Sequence, residues 1–239
     1  MDRLPISVCM VSGAEAHRIR RALQSVAGWT SEIVVVLNSE VEDGTDKIAA
    51  AFGGTVFREP WQGFAAQKNS AADKATQPWL LGLDADEAVS EELRQDIADA
   101  LASEARTPRF AAFSFPRCTW FEGKWIRHGD WYPDRKVLLW RRGQARWGGV
   151  EPHAQLQVSG PVGRLRHDLW HYSMENLDHF VRKSVAYSEV FAREAASQGR
   201  RTSDLDLWMR PLWRFVRCYF LRLGFLDGWQ GYCIARMAA

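Results

Sequence analysis

Asp84-Ala85-Asp86 sets two carboxylates one residue apart, directly after the apolar run Trp79-Leu80-Leu81-Gly82-Leu83. That run reads as a short buried strand, so the pair falls where a hydrophobic strand opens into a loop. Carboxylates so placed can hold a hard divalent cation, Mg²⁺ or Mn²⁺, which shares its coordination with substrate phosphates. Lys68, near the start of a helix, can face a phosphate. Glu151 and His153, on either side of Pro152, can each act as a general base given a suitable pKa and position. Asn38-Ser39-Glu40-Val41-Glu42-Asp43-Gly44-Thr45 follows one apolar strand and precedes a helix. Such a loop can bring backbone N–H groups and a side chain to a nucleotide, although Asp43-Gly44 also suffices for a plain turn. His167 and His171 share a face in either a helix or a strand. No third soft ligand accompanies them, which argues against a structural zinc site.

The elements that must position these residues alternate. Apolar runs predict strands over 6–11, 33–37, 55–57 and 79–83. Helical spacing predicts helices over 15–26, 46–52 and 67–75. This βαβαβ order implies a parallel sheet covered by helices. Ligands of such sheets bind outside the carboxyl ends of the strands, and Asn38 and Asp84 both fall there. Ser90 is a candidate N-cap for a helix that carries Leu93, Ile97 and Leu101 on one face. From 110 to 172 short strand-like pieces (110–115, 136–140, 155–158) alternate with Gly, Pro and Trp, as in a mixed or antiparallel extension of the sheet. A long helix is expected over 177–197.

With 239 residues, 46% of them hydrophobic, the chain suffices for one large domain or a domain with an appendage. A net charge of +2 argues against nucleic acid as a partner. Cys9, Cys118, Cys218 and Cys233 are dispersed and read as reduced cysteines of a cytoplasmic protein. Asp2 and Arg3 before a strand-like run do not make a signal-peptide pattern. No charge-free apolar run approaches the roughly 18 residues of a membrane span. The last segment is aromatic and basic, with Arg210, Arg214, Arg217, Arg222 and Arg236. It is either a helix packed on the domain or an interfacial helix on an anionic membrane. The boundaries are therefore 1–200 for the main domain and 201–239 for the amphipathic C-terminal helical segment.

In order along the chain, Ile6-Ser7-Val8, Glu32-Ile33-Val34-Val35-Val36, Asp43-Gly44-Thr45, Gly63-Phe64 with Gln67-Lys68-Asn69, and Leu83-Asp84-Ala85-Asp86-Glu87 resemble glycosyltransferase family 2. Trp131-Tyr132-Pro133-Asp134-Arg135, His171-Tyr172-Ser173 and Gly224-Phe225-Leu226-Asp227-Gly228-Trp229 extend the series. More narrowly, the chain resembles the lipopolysaccharide core glycosyltransferases of the β-1,4-glucosyltransferase type. The resemblance implies a GT-A, Rossmann-like fold, with a mixed, mainly parallel sheet flanked by helices and a C-terminal helical extension. It also implies a nucleotide-sugar donor such as UDP-glucose, a divalent cation (Mg²⁺ or Mn²⁺) and inversion at the anomeric carbon; the basic, aromatic C-terminus would hold such an enzyme at the cytoplasmic face of the inner membrane, where a saccharide or lipid-linked acceptor waits. By the same resemblance Glu15, Asn38 and Lys68 lie near the nucleotide, and Asp84 near its ribose and diphosphate. Asp86 then binds the metal, His171 is a candidate further ligand, and Glu151 deprotonates the acceptor. The chain departs from its relatives at Ala14-Glu15, where Asn-Glu is usual, at Asn38, where aspartate is usual, and at Pro152-His153-Ala154, where many read Val-His-Glu. These departures motivate a rival, a degenerate GT-A protein that binds a nucleotide sugar or glycan without turnover. A nucleotidyltransferase ranks last, because Ser12-Gly13-Ala14-Glu15-Ala16 is a poor Gly-rich basic loop.

Overall fold

The computed structural model describes residues 3–149, 154–174, 176–199 and 203–239. Contacts divide the chain into two compact units, one of residues 1–117 with 135–171 and one of 118–134 with 172–239. The domain break expected between 200 and 201 lies outside the described residues.

The first unit opens with the alternation read from the sequence: β1 (Leu4–Ser12), α1 (Ile19–Val26), β2 (Thr30–Asn38), α2 (Thr45–Ala51), β3 (Thr55–Glu59), α3 (Phe64–Lys74) and β4 (Trp79–Gly82). These four strands are parallel, in the order β3-β2-β1-β4. Ile6, Val8, Met10, Val34, Val36 and Leu81 are buried, as continuous apolar runs require when helices cover both faces of a sheet. Helix α1 starts at Ile19, four residues later than the periodicity suggests. The N–H groups of Glu15 and Ala16 instead donate to Thr45 Oγ1 (3.1 Å) and Asp43 Oδ2 (2.9 Å). A turn therefore replaces the first helical turn.

Next come β5 (Glu87–Val89), α4 (Glu91–Arg106), β6 (Ala112–Phe121), β7 (Lys124–Ile126), β8 (Asp134–Arg141), β9 (Ala145–Gly148), β10 (Gln155–Val158), β11 (Val162–Arg164) and β12 (Leu169–His171). Strand β8 joins β4 antiparallel, with Leu80 opposite Trp140, and the sheet continues through β6 and β12 to β5. The result is the mixed, mainly parallel sheet expected. Ser90 caps α4 as predicted, its Oγ accepting from the Leu93 N–H at 3.0 Å. Leu93, Ile97 and Leu101 are buried on one face of that helix, each contributing about 1.5–3 kcal/mol of burial. The segment left open between helix and strand around His171 is a strand.

The second unit holds β7, α5 (Leu177–Ser197), α6 (Asp204–Val216) and α7 (Trp229–Ala238), with a π-helical turn at Arg217–Leu221 and a 3₁₀ turn at Gly224–Asp227. Its core is Phe121, Ile126, Phe180, Cys218, Ile234 and Ala235. Asp227, buried, accepts from the N–H groups of Arg127 (3.0 Å) and His128 (2.8 Å). It thereby ties the loop after β7 to the C-terminal helices. Gly231 allows the closest approach there, since a Cβ would sit 1.9 Å from the Gly224 carbonyl oxygen. All four cysteines are free.

Candidate active site at the carboxyl end of the sheet

Strands β1 and β2 end level, with Ser12 opposite Leu37, and β4 ends three residues earlier along β1, with Gly82 opposite Cys9. Leu83 N–H donates to Cys9 O (3.2 Å), which fixes the exit of β4 beside β1. Asn38 is the last residue of β2, and its Oδ1 accepts from the Glu40 N–H at 3.3 Å. The loop that follows does more than turn. Asp43 Oδ1 accepts from the Thr45 N–H and hydroxyl, and Oδ2 from the Ala16 N–H. The Thr45 hydroxyl and the Ala16 N–H hold the Asp43 carboxyl below its ordinary range. Asp43-Gly44-Thr45 thus binds the turn after β1 to the loop after β2, and Glu15 lies in that turn.

Asp84 stands at the mouth of β4, and Lys68 Nζ from α3 donates to its Oδ1 at 2.8 Å. The ammonium also lies 4.7 Å from the centroid of the Trp147 ring. Asn69 holds that tryptophan in place: its Nδ2 donates to Trp147 O, and its Oδ1 accepts from Trp147 N–H, both at 2.9 Å. Burial pulls the Lys68 pKa down, but the Asp84 carboxylate outweighs it and raises the ammonium above its ordinary value. Lys68 is therefore fully charged at neutral pH.

Asp86 has different neighbours. His171 Nε2 lies 3.5 Å from its Oδ2, and Arg18 Nη1 lies 4.0 Å away. Arg18 in turn is paired with Glu15 through both carboxylate oxygens. Glu15, Arg18, Asp86 and His171 thus form a chain of alternating groups across the ends of β1, β4 and β12. The antiparallel ladder of β5 and β12 produces the last link: His171 is opposite Glu87, one residue from Asp86.

Glu87, Arg18 and Arg117 are parts of this site that the sequence did not single out. Glu87 is buried; its Oε2 accepts from the Asp84 N–H, and its Oε1 from Arg117 Nη1, both at 3.1 Å. Its own N–H donates to Asp84 O at 3.0 Å, so the two residues close the turn that displays both aspartates. Burial and the Asp84 carboxylate push the Glu87 carboxyl up, against the Arg117 guanidinium. The available signal was an acid amid Ala85, Ala88 and Val89, since a buried carboxylate needs partners. Arg18 was marked only by its spacing of three from Glu15.

Glu151 and His153 lie outside the described residues. Trp120 and Trp125 meet edge to face, and Trp131 packs in the second unit against Phe121 and Phe180. His167 Nδ1 pairs with Asp96 at 3.0 Å, away from Asp86. Among the described residues no group of three or more His, Cys, Asp or Glu side chains forms a self-sufficient metal cage. One part-buried carboxylate oxygen and one imidazole nitrogen 3.5 Å apart fit a partial metal site.

Residues 7–157 match the model of glycosyl transferase family 2. The chain belongs to that family. Among the relatives of this family 2 member, an uncharacterized glycosyltransferase of Rickettsia typhi is 28% identical over 95% of this chain and 80% of its own length. The lipopolysaccharide core biosynthesis glycosyltransferase LpsC of Rhizobium meliloti is 27% identical, covering 92% of this chain and 82% of its own. Among solved structures, S. aureus TarS 1-349 in complex with UDP-GlcNAc superposes with a TM-score of 0.55 at 12% identity, over 99% of this chain and 90% of that one. The mannosyltransferase PcManGT of Pyrobaculum calidifontis, in complex with GDP-Man and Mn²⁺, gives 0.55 at 15% identity, over 98% and 86%. The fold of this family 2 chain is the GT-A fold.

Proposed function

We propose that this chain transfers a hexose, glucose from UDP-glucose first among the candidates, to a saccharide or lipid-linked acceptor such as the lipopolysaccharide core, with inversion at the anomeric carbon. The carrying observation is the split of the two aspartates at the end of β4, Asp84 with Lys68 and Asp86 with His171. Together the two halves offer a nucleoside diphosphate a fixed positive charge, Lys68, and two ligands for a divalent metal. The name of LpsC supports the acceptor class, and the nucleotide sugars bound by TarS and PcManGT support the donor class.

In this scheme Glu15 and Asn38 contact the nucleoside, Asp84 lies by the ribose and diphosphate, and Lys68 neutralises diphosphate charge. Asp86 and His171 would hold a divalent cation, Mg²⁺ or Mn²⁺. When bound, that cation supplies positive charge to the diphosphate as it leaves. Arg18, 4.0 Å from Asp86, balances the carboxylate before the substrate arrives. The acceptor hydroxyl oxygen attacks the anomeric carbon from the face opposite the diphosphate. As the bond to the phosphate oxygen breaks, the hydroxyl proton passes to a base, Glu151 by the family resemblance, with His153 the alternative. The reaction belongs at the cytoplasmic face of the membrane that carries the acceptor.

Asp86→Ala tests this scheme. Turnover, followed as nucleotide released across a panel of nucleotide sugars with Mg²⁺ or Mn²⁺, is expected to fall at least about 100-fold, as when one preorganised charge-stabilising group is removed. The unfolding temperature should stay near that of the parent. Unchanged turnover in a folded Asp86→Ala protein defeats the proposal. A second reading, binding without turnover, is favoured by Ala154, a departure from the Val-His-Glu pattern of the resembled family. Calorimetric donor binding with no nucleotide released on long incubation would select it.

A further inference from the structure

The second unit exposes an apolar surface that folding alone does not explain. Along α6, Leu205, Trp208, Met209, Leu212 and Trp213 recur at helical spacing, and each is between 53% and 79% exposed. The following turns add Phe220, Leu221, Leu226 and Trp229, between 51% and 62% exposed. Single exposed apolar residues are ordinary, but a run of this length marks an interaction surface. The same segment carries a basic cluster. Arg214, Arg217 and Arg222 converge on Asp130 at 3.9, 3.4 and 2.9 Å. Three guanidiniums against one carboxylate leave a local excess of two positive charges. Asp130 is largely buried while the arginines are 39% to 57% exposed, so the carboxylate gathers them and they face outward. Asp227, an acid of the same segment, is turned into the core.

We infer that this face of the second unit docks on an anionic lipid bilayer. Trp208 and Trp213 would sit at the headgroup level, where tryptophan partitions well, beside leucines that enter the acyl boundary. Arg214, Arg217 and Arg222 would meet lipid phosphates, with Asp130 as the residue that positions them. The helix lies on the membrane. Among the described residues no helix is long and apolar enough to cross one. The charge also selects among occupants: a second copy would bring the same excess of positive charge against itself, whereas an anionic surface complements it. Docking of this face is independent of the transfer chemistry proposed above.

Co-flotation of the full chain with vesicles tests this, using phosphatidylcholine alone and phosphatidylcholine mixed with phosphatidylglycerol. The protein should float with the mixed vesicles and far less with the neutral ones. Salt should release it as the Debye length shrinks from about 10 Å at 0.1 M to about 3 Å at 1 M. Replacing Arg214, Arg217 and Arg222 by Gln together with Asp130→Asn removes a net two positive charges and leaves no buried carboxylate unpaired. At about fivefold per charge near the surface, affinity should fall about 30-fold. Trp208→Ser, Leu212→Ser and Trp213→Ser combined alter only exposed side chains. They should weaken flotation by more than about tenfold while circular dichroism and donor binding are kept. A parent protein that does not float, or that floats equally on neutral vesicles regardless of salt, overturns the inference. So does a dimer in solution that the triple serine variant dissociates.

Discussion

Replacing Lys68 with Met keeps the aliphatic stem of the side chain and deletes its charge, which makes it a sharp probe of the Asp84 half of the site. Two interactions are lost. The first is the 2.8 Å bond to Asp84. Charge-assisted bonds are worth about 1.5–3 kcal/mol, but the Asp84 side chain is 43% exposed, and solvent screening reduces the pair to about 1 kcal/mol. The second is the contact with the Trp147 ring at 4.7 Å, about 0.5–1 kcal/mol at a part-buried position. The sum is about 1.5–2 kcal/mol. For a chain of this size that lowers the unfolding temperature by about 3–8 °C. The pH dependence follows from the sign. The Lys68 pKa is raised in the folded state, so its contribution is fully present below the unfolded value, near 10.4, and fades as pH rises through the folded value. The stability difference between parent and Lys68→Met should therefore be flat from pH 6 to 9 on the order of experimental error and shrink only in strong alkali. Thermal melts without nucleotide, run as a double-mutant cycle with Asp84→Asn, should give a coupling of about 1 kcal/mol. Steady-state kinetics should show the donor KM raised roughly 10-fold or more, one charged contact to diphosphate being lost. A coupling under about 0.3 kcal/mol would refute the pairing; an unchanged KM would refute the role at the diphosphate.

Glu104, buried at the end of α4, accepts from the N–H groups of Arg109 (2.9 Å) and Phe110 (3.2 Å) and pairs with Arg141 at 2.8 Å. Burial pushes its carboxyl up, but these donors outweigh burial and hold it below the usual range. Its stabilisation is therefore present above the unfolded pKa and lost as pH falls through the folded one. Glu104→Gln should cost about 2–3 kcal/mol at pH 7, with the difference starting to shrink near the ordinary glutamate pKa and vanishing only below the lower folded one in denaturant titrations. Ser90→Ala removes the α4 cap and should cost about 1 kcal/mol by the same measurement, with no change in donor KM.

The sequence alone shows the strand and helix order of the first unit because its strands are unbroken apolar runs and its helices carry apolar stripes. The helix over 177–197 coincides with α5 for the same reason. Local pattern failed where a distant side chain took over a backbone group. Nothing near Glu15 and Ala16 signals that Asp43 and Thr45 will satisfy their N–H groups and delay α1 to Ile19. Asp84 and Asp86 are legible as a pair because of where β4 ends, yet their different partners are not. Lys68 and Asp84 are 16 residues apart, His171 and Asp86 are joined only by the sheet, and Arg117 reaches Glu87 from another strand. Long-range pairings of this kind follow from the folded register, which composition and spacing do not encode.

That register gives the Asp86 half of the site a vulnerability that the Asp84 half lacks. Strands β5 and β12 share only three residue pairs, Val89 with Leu169, Ala88 with Trp170 and Glu87 with His171. Side chains alternate faces along a strand, so a slip of one residue would turn His171 away from Asp86. Leu169 is fully buried and Val89 nearly so, and this apolar pair resists the slip because burying both depends on the observed alignment. Position 171 is thus set by packing two residues earlier, while Lys68 is set by the Asn69 clamp on β9. The two halves rest on different supports within the first unit. A core substitution at Leu169 should therefore loosen the His171–Asp86 contact while leaving the Lys68–Asp84 contact in place, so under the proposed scheme the response of turnover to added Mn²⁺ should change while the donor KM does not.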